Sequence, residues 1–112
     1  GADAGTGLFA RLYPGCDVIP AIEALAAAQG LRDARLHGVG SIDHIRFASG
    51  QRMDCHATEL RLDGAQLVAG RAHVPIEVVD IHGHIARGAL ARTGNPVGVT
   101  LELIIEPTGE LE

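Results

Sequence analysis

Hydrophobic and polar residues alternate along most of this 112-residue chain, and one stretch departs from that rhythm. There the apolar residues recur every three or four positions, at Ile19, Ile22, Leu25 and Ala26. This spacing predicts one helix over about residues 18–29. Asp17 stands where its carboxylate would cap the helix start, and Gly30 stands where a left-handed residue would end it.

The rest of the chain predicts short strands joined by tight turns. The clearest period-two pattern lies near the end, where one apolar face is predicted from Val97, Val99, Leu101, Leu103 and Ile105. Further strands are predicted over residues 8–13, 34–36, 42–48, 58–62, 66–68, 73–81 and 84–92. The predicted separators and turns are Gly38, Gly40, Gly50, Asp63-Gly64 and Gly83, with a bend or bulge at residues 38–41. One helix among such strands predicts an α+β fold with a mostly antiparallel sheet.

The pattern predicts one domain over residues 8–106, with a flexible lead at 1–7 and a tail at 107–112. Hydrophobic residues make up 46 % of the chain, but it has no Trp, one Tyr and two Phe. Its core must therefore be aliphatic. A domain of this size leaves a large share of its surface unburied, and apolar surface left over would favour self-association.

The charge and the cysteines limit the possible partners. The formal net charge is −5, and the nine basic residues are all Arg and are scattered. Duplex DNA binding depends on clustered basic residues, so we do not expect this chain alone to bind DNA. Cys16 and Cys55 lack metal-type spacing; a disulfide stays open, but no secretory segment is evident, which favours a reduced, cytoplasmic setting. No apolar run is long enough to cross a membrane.

Short motifs in a fixed order resemble the plants-and-prokaryotes conserved domain, called PPC or PCC-like. The motifs lie at residues 11–17, 30–34, 38–41, 58–60 with Gly64, 80–83, 87–90 and 99–103. The resemblance implies an antiparallel α+β fold that assembles as a homotrimer. It also implies the stand-alone prokaryotic branch, whose members are provisionally labelled DNA-binding and which lacks the AT-hook of plant members.

The resemblance also implies a metal site that this sequence has lost in part. Many stand-alone members carry His-x-His on one strand and Gly-Gly-His-Leu on a later one, and these three imidazoles can hold zinc. The corresponding positions here are His73, Pro75 and Ala89. One imidazole does not hold Zn²⁺ usefully, so no cofactor is expected and His73 is at most a remnant of the site.

The remaining candidate chemistry favours structural roles. His82 and His84 flank a turn, where we expect their side chains to diverge in solvent. Cys55 and His56 are strand neighbours that point to opposite faces. Glu59 and Glu102 lie in apolar strands, and we expect pairing with Arg87 or Arg92 rather than catalysis.

Three hypotheses follow. The first is a non-enzymatic homotrimer that binds a partner protein or a small ligand at subunit junctions, with His73, Arg87, Arg92 and Asn95 as the polar pocket residues. The second is an enzyme that uses a metal or the residual histidine near His73. The third is a DNA-binding regulator, which would need its arginines gathered on one face.

Overall fold

A computed structural model describes residues 7–54 and 57–108 of the chain, without the side chains of residues 57 and 58. Most of the predicted lead, Cys55, His56 and residues 109–112 lie outside the described residues. The described residues form ten strands and one helix. In chain order they are β1 (Leu8–Leu12), α1 (Val18–Ala28), β2 (Ala34–Ile42), β3 (Ile45–Arg46), β4 (Arg52–Met53), β5 (Ala57–Leu62), β6 (Ala65–Val68), β7 (Arg71–His73), β8 (Pro75–Asp80), β9 (Ile85–Ala89) and β10 (Val97–Pro107).

Eight of the strands form one antiparallel sheet. Its main path runs β1-β10-β2-β5-β8-β9, while β6 pairs with the first part of β2 and with β7. β3 and β4 make a separate two-stranded ribbon. The predicted α+β fold, with one main helix and a mostly antiparallel sheet, is confirmed.

Helix α1 packs the apolar stripe that the spacing predicted. Val18, Ile19, Ile22 and Ala26 are buried. Gly30 has a φ of 71°, and the helix end is closed by two hydrogen bonds, from the Gly30 N–H to Ala27 O (3.1 Å) and from the Leu31 N–H to Ala26 O (2.9 Å). This pair of bonds is the Schellman arrangement, which a positive φ makes possible. The predicted left-handed end at Gly30 is confirmed.

The predicted cap at the helix start is wrong. Asp17 occupies the N-cap position, but its side chain makes no capping hydrogen bond. Its carboxylate oxygens instead accept the backbone N–H groups of Gly94 and Asn95, both at 3.0 Å. The start of the helix is thereby tied to the turn before β10.

The predicted break at Gly38 and Gly40 is also wrong, because β2 runs through both glycines to Ile42. A Cβ at Gly38 would lie 2.8 Å from Glu102 O, and one at Gly40 would lie 2.7 Å from the Leu101 Cα. These glycines therefore let β10 approach closely rather than ending the strand. The predicted bend or bulge at residues 38–41 is matched only by a register shift between Gly40 and Ile42: two steps of β2 match three steps of β5, so the extra residue lies in β5.

Other boundaries differ because of local irregularities. The pattern predicts Val99 on the same apolar face as Val97 and Leu101, but Val99 is 64 % exposed whereas those two residues are buried. Four steps of β10, from Val97 to Leu101, match only two steps of β2, so the alternation is broken there. The strand predicted over residues 73–81 is interrupted at Val74, and the one over 42–48 is reduced to β3 after β2.

The core lies between α1 and one face of the sheet and is almost entirely aliphatic, as predicted. Its largest fully buried side chains are Ile19, Ile22, Leu36, Ile42, Ile45, Leu67, Ile76, Leu101, Leu103 and Ile105. Phe47 is the aromatic member of this core. Within the described residues, no helix is long and apolar enough to cross a membrane.

Candidate functional site

The sheet face opposite the core carries a continuous row of aligned side chains. Strand pairing places six residues in register across the six strands of the main path: Arg11, Glu102, Val39, Arg61, Glu77 and Arg87. Salt bridges join Arg11 to Glu102 (3.6 Å) and Glu77 to both Arg61 (3.3 Å) and Arg87 (2.7 Å). We call the face that bears this row the open face.

Large apolar side chains stand on both sides of the row. On one side of the row, Ile104 of β10 pairs with Phe9 of β1 and with His37 of β2. On the other side, Val79 of β8 pairs with Glu59 of β5 and with Ile85 of β9. Phe9 is 63 % exposed, Val39 59 %, Ile85 60 % and Ile104 48 %. Half of the eight large hydrophobic residues found exposed among the described residues thus share this face.

A shallow depression of about 330 Å³ lies near the middle of the open face. Its lining is Val39, Gly40, Glu59, Leu60, Arg61, Glu77 and Val79. The hydrogen bond from Arg87 and the charge of Arg61 hold the pKa of Glu77 below its usual value. Glu77 is therefore ionised at neutral pH, and its role fits an ion-pairing group rather than a proton donor.

A second depression, of about 390 Å³, lies where β7, the segment after β9 and α1 meet. We call it the His73 depression. Its lining is Ile19, Ala48, Arg71, Ala72, His73, Val74, Ala89, Leu90, Ala91 and Arg92. Ile19, Val74 and Leu90 belong to the buried core, so the depression has an apolar floor and a polar rim.

A closed triangle of hydrogen bonds fixes one side of this rim. Arg92 Nη2 donates to both carboxylate oxygens of Glu23 (2.7 and 2.6 Å), and Arg92 Nη1 donates to Ala72 O (3.1 Å). Glu23 also accepts the Ala72 N–H at 2.8 Å. The hydrogen bond from Arg92 is the largest cause that lowers the pKa of Glu23. Sequence reasoning missed Glu23, because its partners lie 49 and 69 residues away.

The four residues predicted for a pocket do not form one site within a protomer. His73 and Arg92 line the same depression. Arg87 stands on the open face with Glu77. Asn95 is fully buried: its Oδ1 accepts the Arg46 N–H at 2.7 Å, and its Nδ2 donates to the carbonyl groups of Arg46 and Ala91, both at 3.2 Å.

The three positions that the resemblance assigned to zinc lie close together. Pro75 and Ala89 are cross-strand partners, and Ala89 lines the His73 depression beside His73. Only His73 offers a ligand atom, so these residues do not fit a zinc ion. The described residues contain no group of three His, Cys, Asp or Glu side chains placed to hold a metal.

The turn between β8 and β9 is organised by Asp80. Its Oδ1 accepts the backbone N–H groups of His82 (2.8 Å) and His84 (2.9 Å), and these bonds, His84 first, lower the pKa of Asp80. The His82 and His84 side chains do not diverge as predicted, since their rings lie 6.2 Å apart and are tilted by 48°. His84 Nδ1 lies 3.3 Å from Asp80 Oδ2. This contact gives His84 a structural role in the turn.

The two glutamates considered as acid–base candidates have other surroundings. Glu102 pairs with Arg11, not with Arg87 or Arg92 as expected. Glu59 is exposed at the edge of the central depression. Cys55 and His56 lie outside the described residues.

Comparison with known proteins agrees with this architecture. The model of the Plants and Prokaryotes Conserved (PCC) domain matches residues 1–107. The chain belongs to this family. No curated protein sequence matches it significantly.

Solved structures share the PCC fold at low sequence identity. A plant- and prokaryote-conserved (PPC) protein of Pyrococcus horikoshii superposes with a TM-score of 0.74 at 15 % identity, covering 95 % of this chain and 81 % of its own. A protein of Bacteroides thetaiotaomicron, provisionally described as DNA-binding, gives 0.77 at 14 % with the same coverage. A metal-containing protein of Archaeoglobus fulgidus gives 0.67 at 17 %, covering 95 % and 82 %.

Proposed function

We propose that this PCC domain is a non-enzymatic assembly module that forms a homotrimer through its open face and binds a partner or small ligand at subunit junctions. The observation that carries the proposal is the exposure of Phe9, Val39, Ile85 and Ile104 on one sheet face. These residues form apolar patches at the two ends of the face, and exposed apolar patches rimmed by polar residues are typical of interaction sites. The trimeric state, rather than another oligomer, is what the family resemblance implies.

The arrangement of the open face suits a closed ring of like subunits. In such a ring each subunit meets its two neighbours through different patches. Six strands spaced by about 4.8 Å span roughly 24 Å, and the apolar residues stand toward both ends of this span. Phe9 and Ile104 form the β1 end, and Val79 and Ile85 form the β9 end. The β1 end of one subunit would pack against the β9 end of the next.

Sedimentation or light scattering tests the assembly. The chain has a mass of 11.6 kDa, so a trimer should give about 35 kDa, three times that value. Ile104→Glu and Ile85→Glu each place a charge in one end of the interface and should yield monomers that keep their circular dichroism. Ala28→Glu, on the exposed side of α1, adds the same charge elsewhere and should stay trimeric. A monomeric wild type at micromolar concentration would overturn the proposal.

Mixing the two monomeric variants tests the pairing of unlike ends. The Ile104→Glu subunit keeps its β9 end, and the Ile85→Glu subunit keeps its β1 end. One unaltered junction therefore remains, and the mixture should give a heterodimer of about 23 kDa, twice the 11.6 kDa of one chain. If each end paired with its own kind, each variant would keep one self-pairing end, would form a homodimer without the other variant, and would give no heterodimer in the mixture.

DNA binding, the description that some neighbours carry, has less support in this chain. Six of the nine arginines form salt bridges with acidic side chains within the described residues. Their charge is thus largely offset by neighbouring carboxylates, which weakens any attraction to phosphate groups. No shift of duplex DNA is expected at low salt, where such binding is strongest; a salt-sensitive shift would favour this alternative.

A further inference from the structure

We infer that the His73 depression binds a small organic anion with a short aliphatic tail, such as a monocarboxylate. This inference deepens the ligand-binding part of the proposed function and rests on it. Ten residues of the protomer line the depression. Its volume of about 390 Å³ lies within the range of small-molecule sites.

The rim supplies the groups that recognise a negative head. Arg71, His73 and Arg92 line the depression, and Glu23 is the carboxylate held against Arg92. Two guanidinium charges against one carboxylate leave one positive charge in excess, on a chain whose net charge is −5. The charge of Arg71 also acts on Glu23, whose pKa it helps to lower. An arriving carboxylate would therefore meet a local positive field.

Arg92 is already positioned for such a ligand. Its Nη1 and Nη2 are held by Ala72 and Glu23, which fixes the plane of the guanidinium group at the rim. A guanidinium group fixed in this way loses little conformational entropy when it binds a further partner. Arginine is well suited to carboxylates because its planar donors match their geometry.

The rest of the lining suits an aliphatic tail. Ala48, Ala89 and Ala91 are small and leave room above the buried floor of Ile19, Val74 and Leu90. An inorganic anion would contact only the charged rim and would leave these apolar side chains exposed to water. A neutral alcohol would contact only the apolar side chains and would leave the guanidinium groups without an anionic partner. A ligand that combines both features gains from both contacts.

Titration of the ¹⁵N-labelled protein with hexanoate, hexanol and inorganic phosphate tests the inference. Hexanoate should saturate the amide shifts of Ala72, His73, Ala89 and Ala91, and it should bind about tenfold more tightly than either comparator. If phosphate bound as tightly as hexanoate, the apolar side chains would contribute nothing to the affinity. If hexanol bound as tightly as hexanoate, the arginines would contribute nothing to it. Either result, or no saturable shift at these amides, would overturn the inference.

Variants separate this site from the rest of the protein. Arg71→Gln keeps the Glu23–Arg92 triangle and should weaken hexanoate binding about tenfold. Ala89→Leu should abolish it by filling the depression. Arg35→Gln removes the same charge beside Glu106 and should leave binding unchanged. Mass measured on the same samples distinguishes the two proposals. A trimer that does not bind hexanoate would contradict the ligand inference but not the proposed assembly. A monomer that binds hexanoate would contradict the proposed assembly but not the ligand inference.

Discussion

Glu23 holds Arg92 through both of its carboxylate oxygens, at 2.7 and 2.6 Å, and so joins the middle of helix α1 to the segment that follows β9. The same carboxylate accepts the Ala72 N–H, and Arg92 donates to Ala72 O. Two side chains thus satisfy both polar groups of one backbone residue near the end of the sheet. This contact positions α1 over β7 as well as shaping the rim of the His73 depression.

Removal of the Glu23 charge should lower stability in a pH-dependent way. The pKa of Glu23 lies below its ordinary value of 4.5 in the folded chain. Its ionised form therefore stabilises the fold fully above that value, and the contribution is lost as pH falls through the lower folded pKa. Because Arg92 is 44 % exposed, we expect Glu23→Gln to cost only about 0.5–1 kcal/mol at pH 7. Urea unfolding at fixed protein concentration measures this cost.

The pH series supplies the control for this prediction. The difference in unfolding free energy between Glu23→Gln and the wild type should shrink as pH falls from 4.5 through the lower folded pKa of Glu23, below which both chains carry a neutral group at this position. A difference of the same size at pH 7 and at pH 3 would mean that the packing of the side chain, rather than its charge, is what stabilises the fold.

Asp17 offers a test that separates two roles of one side chain. Serine is as good an N-cap residue as aspartate, but its hydroxyl is too short to replace a carboxylate that receives both Gly94 N–H and Asn95 N–H. Asp17→Ser should therefore lower the unfolding free energy by about 2 kcal/mol. A neutral result would mean that Asp17 acts through the helix start after all.

Asn95 should be a strong determinant of stability rather than of binding. Its buried amide satisfies the N–H and C=O of Arg46 and the C=O of Ala91. Asn95→Ala would leave these backbone groups unpaired, at a cost of about 3 kcal/mol. Gln66→Ala removes an exposed amide from β6 and should change the unfolding free energy by less than about 0.5 kcal/mol. Comparable losses for the two variants would contradict this assignment.

Local patterns made much of the fold predictable, and long-range register explains most of what was missed. The stripe of α1 and the left-handed Gly30 depend on neighbouring residues, so spacing alone located them. Gly38 and Gly40 carry the same local signal as turn glycines, yet they serve the approach of β10. Val99 fits the period-two pattern and is still exposed, because the register shift that turns it outward involves β2.

The candidate sites were predictable only in part, for the same reason. His73 and Arg92 were predicted together and line one depression. Glu23 and the row from Arg11 to Arg87 were missed. The row depends on the order of six strands in the sheet, and no spacing along the chain encodes that order. Asn95 is predicted as a polar pocket residue, but it is buried because the segments around Asp17, Arg46 and Ala91 meet at it.

The position of His73, with Pro75 and Ala89 where the resemblance places two further histidines, predicts that the wild type binds little zinc and that restoring both histidines creates a zinc site. Protein purified without chelator should contain zinc well below one ion per chain, and His73→Ala should leave that content unchanged. Because Pro75 and Ala89 are cross-strand partners next to His73, the double variant Pro75→His with Ala89→His should bring three imidazoles together and gain about one zinc per chain. Ala89→His alone supplies only two and should not. If the wild type itself holds stoichiometric zinc that His73→Ala removes, then further ligands come from a second subunit or from outside the described residues, and the enzyme hypothesis becomes the stronger one.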